Sequence, residues 1–445
     1  VRVRGGAAAV DAATGEVVAD YSTADAPDGT LLLACKDRRE SVCPACAERY
    51  RRDTWHVVAA GMRGRTPSLP GGPDAVPEAV RDHPLLFATF TAPSFGRVHR
   101  VTSGDGVCRA GAGVCRHGLP VGCGARHAAG DALAGTPLCW DCYDYDGHVL
   151  WHAAVPELWR RTITYAYRAM ARLASARLGE RVTVRDLVRI SYVKVAEFQR
   201  RGAVHLHAVI RVDGVDSADR RRLVAPPAWA DAVLAETAVR EAAGRVAVAL
   251  PAVGGRSRLA RWGAQLDMAP VSDPERAAAY LAKYATKTAS GTFAGLPPTV
   301  FGVADLARVS RRVRSPHVML LVTACLRLAR RPDCARFRLA EHVHTLGFAG
   351  HFASKSRRWS VTLGTLRAVR RAWRMAQRDG DGADPWARAA GADDSTVIVR
   401  DWRYVGTGWA RPGDADLAAT LARDHGAARA AADIATITRN GGEHR

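Results

Sequence analysis

The passage Ile190–Val212, ISYVKVAEFQRRGAVHLHAVIRV, constrains the fold more than any other: two β-rich runs flank Arg200-Arg201-Gly202. Three residues ending in Gly suit a hairpin loop whose glycine takes the left-handed conformation. In that register residue 199 faces 203, so Glu197 stands across from His205, and period-2 alternation puts His205 and His207 on the same face. The opposite face, Val204, Leu206, Ala208 and Ile210, is apolar and suits packing on helices. Two imidazoles and a carboxylate on one face make a candidate divalent-metal site with positions open for substrate oxygens. A lone His-x-His pair is as readily half-buried or at the surface; the carboxylate opposite is what distinguishes this one.

Around the hairpin, Leu85–Phe90 reads as a strand and Val155–Leu178 as a helix, with Leu158, Ile163, Tyr167, Met170 and Leu173 near helical spacing. Residues 216–270 read as Ala-rich helical stretches broken by Pro226-Pro227 and Pro251. Residues 61–80 and 375–395 read as loops, and the last 30 as a marginal helix or frayed tail. Glu275–Thr288, ERAAAYLAKYATKT, reads as a helix opened by Asp273-Pro274. Tyr280 and Tyr284 are four apart, about 40° round such a helix, so both hydroxyls reach one place; Lys283 and Lys287 form a second i, i+4 pair beside them. Taken alone, two tyrosines at that spacing are equally a packed helix face.

Eight of the ten Cys precede residue 143. With no export signal the thiols are expected to be reduced, and their clustering argues for metal rather than disulfides. Cys35, Cys43 and Cys46 supply three ligands of a possible tetrahedral zinc knuckle at 35–46. Cys108, Cys115, His117, Cys123, His127, Cys139 and Cys142 crowd a Gly-, Pro- and His-rich stretch, 103–150, too poor in apolar residues for a core of its own. A structural zinc would replace that core, with Cys115, Cys123, Cys139 and Cys142 as the expected ligands. Cys325 and Cys334 read as small buried thiols.

Lys and Arg number 64 against 44 Asp and Glu, a net +20 that calls for a polyanion, nucleic acid above all. The cations concentrate at Arg308–Arg314, Arg327–Arg338 and Lys355–Arg374, the last with Trp359 and Trp373 interleaved. Arg311, Arg312, Arg314, Lys355, Arg357 and Arg358 are candidate DNA contacts. The longest apolar stretch, Val318–Leu326, is roughly half the ~20 residues that cross a bilayer, so a cytoplasmic protein with no membrane partner is expected.

FATFTAP (Phe87–Pro93), HLHAVI (His205–Ile210) and YLAKYATK (Tyr280–Lys287), in that order, resemble the three motifs of rolling-circle replication initiators of the HUH endonuclease superfamily. CPACAERYRRD (Cys43–Asp53), LCWDCYDYDGHVLW (Leu138–Trp151), EFQRRGAVHLH (Glu197–His207) and LGFAGHFASKSRRWS (Leu346–Ser360) are similar, more narrowly, to actinobacterial replication proteins of plasmids and integrative elements. The resemblance implies an α+β fold: an HUH endonuclease-like central antiparallel sheet flanked by helices, with a zinc-binding insertion and a basic, mainly helical C-terminal region. The corresponding division is an N-terminal Cys-containing region 1–80, an endonuclease domain 81–290 with its insertion 103–150, a basic helical DNA-binding region 291–375, and a loop and tail 376–445.

The resemblance also implies a metal-dependent endonuclease and strand transferase that nicks one strand of its origin, forming a 5′-phosphotyrosine link and freeing a 3′ hydroxyl as primer. Tyr284, followed by Lys287, matches the Y-x-x-K form and is the expected nucleophile, with Tyr280 as the second and Lys283 and Lys287 orienting phosphate. His205 and His207 would hold Mg²⁺ or Mn²⁺; Glu197 as third ligand comes from the hairpin register. Origin DNA, a host helicase and a host DNA polymerase are the expected partners. The rival readings are an HUH-type transposase, a relaxase, whose Tyr usually precedes its His motif, and a non-catalytic zinc-dependent DNA-binding regulator, which leaves the Tyr and His pairs unexplained.

Overall fold

The computed structural model describes residues 1–64, 76–102, 106–378, 396–418, 420, 421 and 424. Of the loops expected at 61–80 and 375–395, residues 65–75 and 379–395 lie outside the described residues, as does most of the expected tail, while 61–63 and 375–378 instead end the helices Pro44–Arg63 and Leu363–Arg378. The protein is mixed α+β and its sheets are antiparallel, in two compact units, 1–50 with 363–445 and 51–362.

In the first unit the strand Arg2–Asp11 lies between Val17–Ser22 and Thr396–Gly406, and Leu31–Leu32 pairs with its start. The turn after Arg2–Asp11 is set by Asp11, whose Oδ1 accepts from the Ala13 and Thr14 backbone N–H groups at 2.8 and 2.9 Å. The helix Leu363–Arg378 belongs to the same unit.

The second unit is built on a sheet whose strands run in the order Leu266–Pro270, Leu85–Phe90, Val204–Val215, Val188–Phe198, Ala353–Lys355, with Leu223–Val224 paired to Val204–Val215. The histidine strand Val204–Val215 is therefore interior, bonded on both sides. Its turn closes as the sequence suggests: Gln199 N–H donates to Ala203 O at 2.8 Å, and Gly202 sits at φ 79°. That left-handed conformation favours glycine, and a Cβ there would also press on Leu321 Cδ1 at 2.7 Å.

Alternation divides this sheet. Leu86, Ala88, Phe90, Leu206, Ala208 and Ile210 are buried in one core with Trp151, Leu158 and Met170 of the helix Tyr145–Leu178 and with Leu321 of the helix Pro316–Ala329. The long helix begins earlier than its hydrophobic spacing indicated, because Asp144 caps it, accepting from Gly147 N–H at 3.0 Å. On the other face Arg211 is buried against Asp213 (2.6 Å) and the Trp359 carbonyl (3.3 Å), while His83 and Ser191 satisfy Asp213 at 2.8 and 2.6 Å.

Residues 216–270 are less helical than their alanines suggested. Only Ala232–Arg245 is a helix; Val248–Val253 and Arg256–Ala260 form a hairpin about Gly254 and Gly255, both at positive φ, and Leu266–Pro270 is a sheet edge.

Candidate active site

Glu197 pairs directly with His205 across the hairpin, and its Oε2 lies 3.1 Å from His207 Nε2. Thr89, opposite His207 on the neighbouring strand, approaches the other ring nitrogen: Oγ1 is 3.1 Å from Nδ1. His207 is thus gripped at both nitrogens. His205 Nε2 is buried and meets no hydrogen-bond partner among the described residues. Burial first, then the charges of His207 and Arg201, push the His205 imidazole down to about 4, so it is a neutral lone-pair donor at neutral pH. An orphan imidazole nitrogen beside a second imidazole and a carboxylate fits a divalent cation. The ligand atoms of His205, His207 and Glu197 are more widely spread than those of the cysteine groups described below.

The tyrosine helix Pro274–Ala285 packs over this face, against the strands Val188–Phe198 and Val204–Val215. Asp273 caps it, accepting from Glu275 and Arg276 N–H at 3.0 Å, and Pro274 occupies its first turn. Its apolar side, Ala277, Ala278, Leu281, Ala282 and Ala285, is buried, which leaves Tyr280 and Tyr284 to share the next stripe. Both rings meet His207: Tyr280 edge-on at 5.1 Å between centroids, Tyr284 nearly parallel at 5.4 Å. They also meet each other at 4.8 Å, and Phe87 closes the edge of Tyr280 at 5.6 Å. Burial, then Tyr284 and the Glu197 charge, raise the Tyr280 phenol above its usual range.

The helix stops at Ala285 rather than Thr288, so Lys287 is not on it; Lys287 N–H instead turns back to Tyr284 O at 3.1 Å. Both lysines still lie over the Tyr284 ring, Lys283 Nζ at 5.6 Å and Lys287 Nζ at 5.0 Å from its centroid. Thr89 and Phe87 belong to the FATFTAP motif, and the alternation of FATFT, which puts both on one face, is the signal in the sequence that points to them.

Among the described residues, three groups of Cys and His could hold a metal such as zinc: Cys35, Cys43 and Cys46; Cys115, His117, Cys139 and Cys142; and His99, Cys108, Cys123 and His127. The four-cysteine set expected in the insertion is therefore divided, Cys123 going with the last group and His117 standing beside Cys115, Cys139 and Cys142. The reason is backbone pairing that spacing does not reveal: Arg109 and Cys123 exchange N–H···O bonds at 2.9 Å, which brings Cys108 to Cys123. His99 was not singled out from the sequence.

Among the basic candidates, Arg311, Arg312, Arg314 and Arg357 are exposed, whereas Lys355 donates to Ser360 O at 2.7 Å from an edge strand. Trp359, which the sequence offers for base stacking, is fully buried, its Nε1 donating to Val57 O at 3.2 Å, and is a core residue. No helix among the described residues is long and apolar enough to cross a membrane.

Residues 1–423 match the family described as "Replication initiator protein, pSAM2". A replication initiator protein of Streptomyces ambofaciens is 41% identical over 427 residues, covering 93% of this chain and 84% of that protein. The chain belongs to this family of replication initiator proteins. No solved structure matches it.

Proposed function

We propose that this initiator is an HUH-type nuclease that binds its origin DNA and opens one strand by tyrosine attack, beginning rolling-circle replication of a plasmid or integrative element. The observation that carries the reading is the meeting of Tyr280 and Tyr284 on His207, itself held by Glu197 and Thr89. The Tyr284 hydroxyl oxygen attacks a backbone phosphorus and gives up its proton to water. The P–O3′ bond breaks, the 3′ oxygen takes a proton, and the products are a 5′-phosphotyrosine and a 3′ hydroxyl that a host polymerase extends. Lys283 and Lys287, over the Tyr284 ring, stabilise the phenolate and the phosphate oxygens. Tyr280 is the second nucleophile, able to attack after one round and release the first link. His205, His207 and Glu197 would hold Mg²⁺ or Mn²⁺, which when bound offsets the charge of the phosphodiester. A host helicase and polymerase complete the replication machinery.

The test is incubation of supercoiled DNA carrying the gene's own flanking region with purified protein and Mn²⁺, scored for nicking and a denaturant-stable adduct. Tyr284→Phe is expected to abolish the first adduct and the Tyr280→Phe/Tyr284→Phe double variant all of it. Specific binding without cutting, whichever divalent metal is supplied, would replace this reading with the zinc-dependent regulator.

A further inference from the structure

We propose that the insertion holds two separate zinc ions, and that the one bound by His99, Cys108, Cys123 and His127 clamps the loop on which the turn of the histidine hairpin is seated. His99 Nδ1 lies 3.0 Å from His127 Nε2, Cys108 Sγ 3.7 Å from His99 Nδ1, and Cys123 Sγ 3.5 Å from His127 Nε2. Bonds of ~2.0–2.1 Å to nitrogen and ~2.3 Å to sulfur in a tetrahedral zinc site put ligand atoms roughly 3.3–3.8 Å apart. All four ligand atoms here lie within 4.8 Å of one another. Two thiolates with two imidazoles are a donor set that selects zinc over the oxygen-seeking cations.

The surroundings are those of a built site. His127 Nδ1 is 2.6 Å from Asp131 Oδ2, so an Nδ1–H donates to the carboxylate and the Nε2 lone pair faces the other three ligands. Arg100 N–H donates to Cys108 Sγ at 3.3 Å, the contact a buried thiolate requires. Cys115, His117, Cys139 and Cys142 gather separately, with His117 Nδ1 at 3.3 Å from Cys142 Sγ and 3.4 Å from Cys139 Sγ. With little apolar core of its own, the insertion is held by isolated pairings at Val98–Pro137, Arg109–Cys123 and Val114–Pro120.

The link to the hairpin runs through His99. Its backbone bonds the opposite segment twice, His99 N–H to Thr136 O and Gly135 N–H to His99 O, both at 2.8 Å. Gly135, at φ 94°, lies so close to the turn that a Cβ there would meet the Arg200 carbonyl carbon at 2.6 Å. Fixing His99 therefore fixes the surface against which Arg200 rests, three residues from Glu197. The clamp does not depend on whether the chain nicks DNA.

The test is native mass spectrometry of the full chain expressed with zinc. Cys123→Ser and Cys139→Ser are each expected to lose one zinc equivalent, and the double variant two. Asp131→Asn, which keeps all four ligands, is expected to retain its zinc but surrender it to a chelator about 10–100-fold faster. Hydrogen exchange at 199–203 should rise in Cys123→Ser and stay unchanged in Cys139→Ser. A double variant that loses no more than either single would mean one shared ion and overturn the two-site assignment. Unchanged exchange in Cys123→Ser would overturn the clamp.

Discussion

Thr89 reaches the proposed nucleophiles only through His207. Its Oγ1 at His207 Nδ1 sets the ring so that Nε2 faces Glu197 and the two tyrosines. Thr89→Val keeps the branched shape and removes this hydroxyl, and a lost orienting contact of this kind typically costs about 10–100-fold. The expected outcome is a nicking rate reduced by that factor with a thermal midpoint close to wild type, read on supercoiled origin DNA. A wild-type rate in Thr89→Val would show that His207 needs no such support.

Three buried histidines support the hairpin turn, and for two of them, His152 and His317, backbone partners dictate the tautomer. Val204 N–H donates to His152 Nε2 at 3.2 Å, so His152 Nδ1 carries the proton given to Leu346 O at 2.8 Å. His317 Nε2 donates to Arg201 O at 2.9 Å, and its Nδ1 faces Tyr145 Oη at 3.3 Å. His148 Nδ1 lies 2.9 Å from the Tyr143 hydroxyl oxygen, and its ring stacks on Phe95 at 4.4 Å. Burial above all pushes His152 and His317 down to about 4 and His148 well below its usual value. An unfolded histidine titrates at about 6.5, so the unfolded chain takes up protons first as pH falls. The stability these groups contribute is complete above pH ~6.5 and drains away toward pH ~4, by up to about 1.4 kcal/mol per pH unit for each histidine. Urea midpoints measured from pH 7.5 to 5 should fall accordingly; a flat profile would contradict the neutral tautomers.

For the whole molecule the decisive quantity is charge. A net +20 with Arg311, Arg312 and Arg314 exposed on one short segment gives origin binding a large salt-dependent component. Each phosphate contact contributes a slope of about −0.9 in log K against log salt. Replacing the three arginines by Ala should therefore flatten the slope by about 2 to 3 and weaken specific and non-specific DNA alike, as titrations between 50 and 200 mM salt would reveal. An unchanged slope would move the DNA contacts elsewhere.

The register of the histidine hairpin, the strand Leu85–Phe90 and the cap of the tyrosine helix were legible in the sequence, because alternation, a glycine loop and an Asp-Pro start act within a few residues. What the sequence left open depends on segments that meet from afar. The sheet that joins Arg2–Asp11 to Thr396–Gly406 pairs opposite ends of the chain, and no local pattern announces such a partner. Trp359 became core rather than a stacking surface because Val57 and Arg211 cover it. Cys123 joined His99 and His127 because a backbone ladder at Arg109 turned it that way. Residue type and spacing determined which side chains were candidates; tertiary packing decided which donors come together, because a ligand set is closed in space and not along the chain.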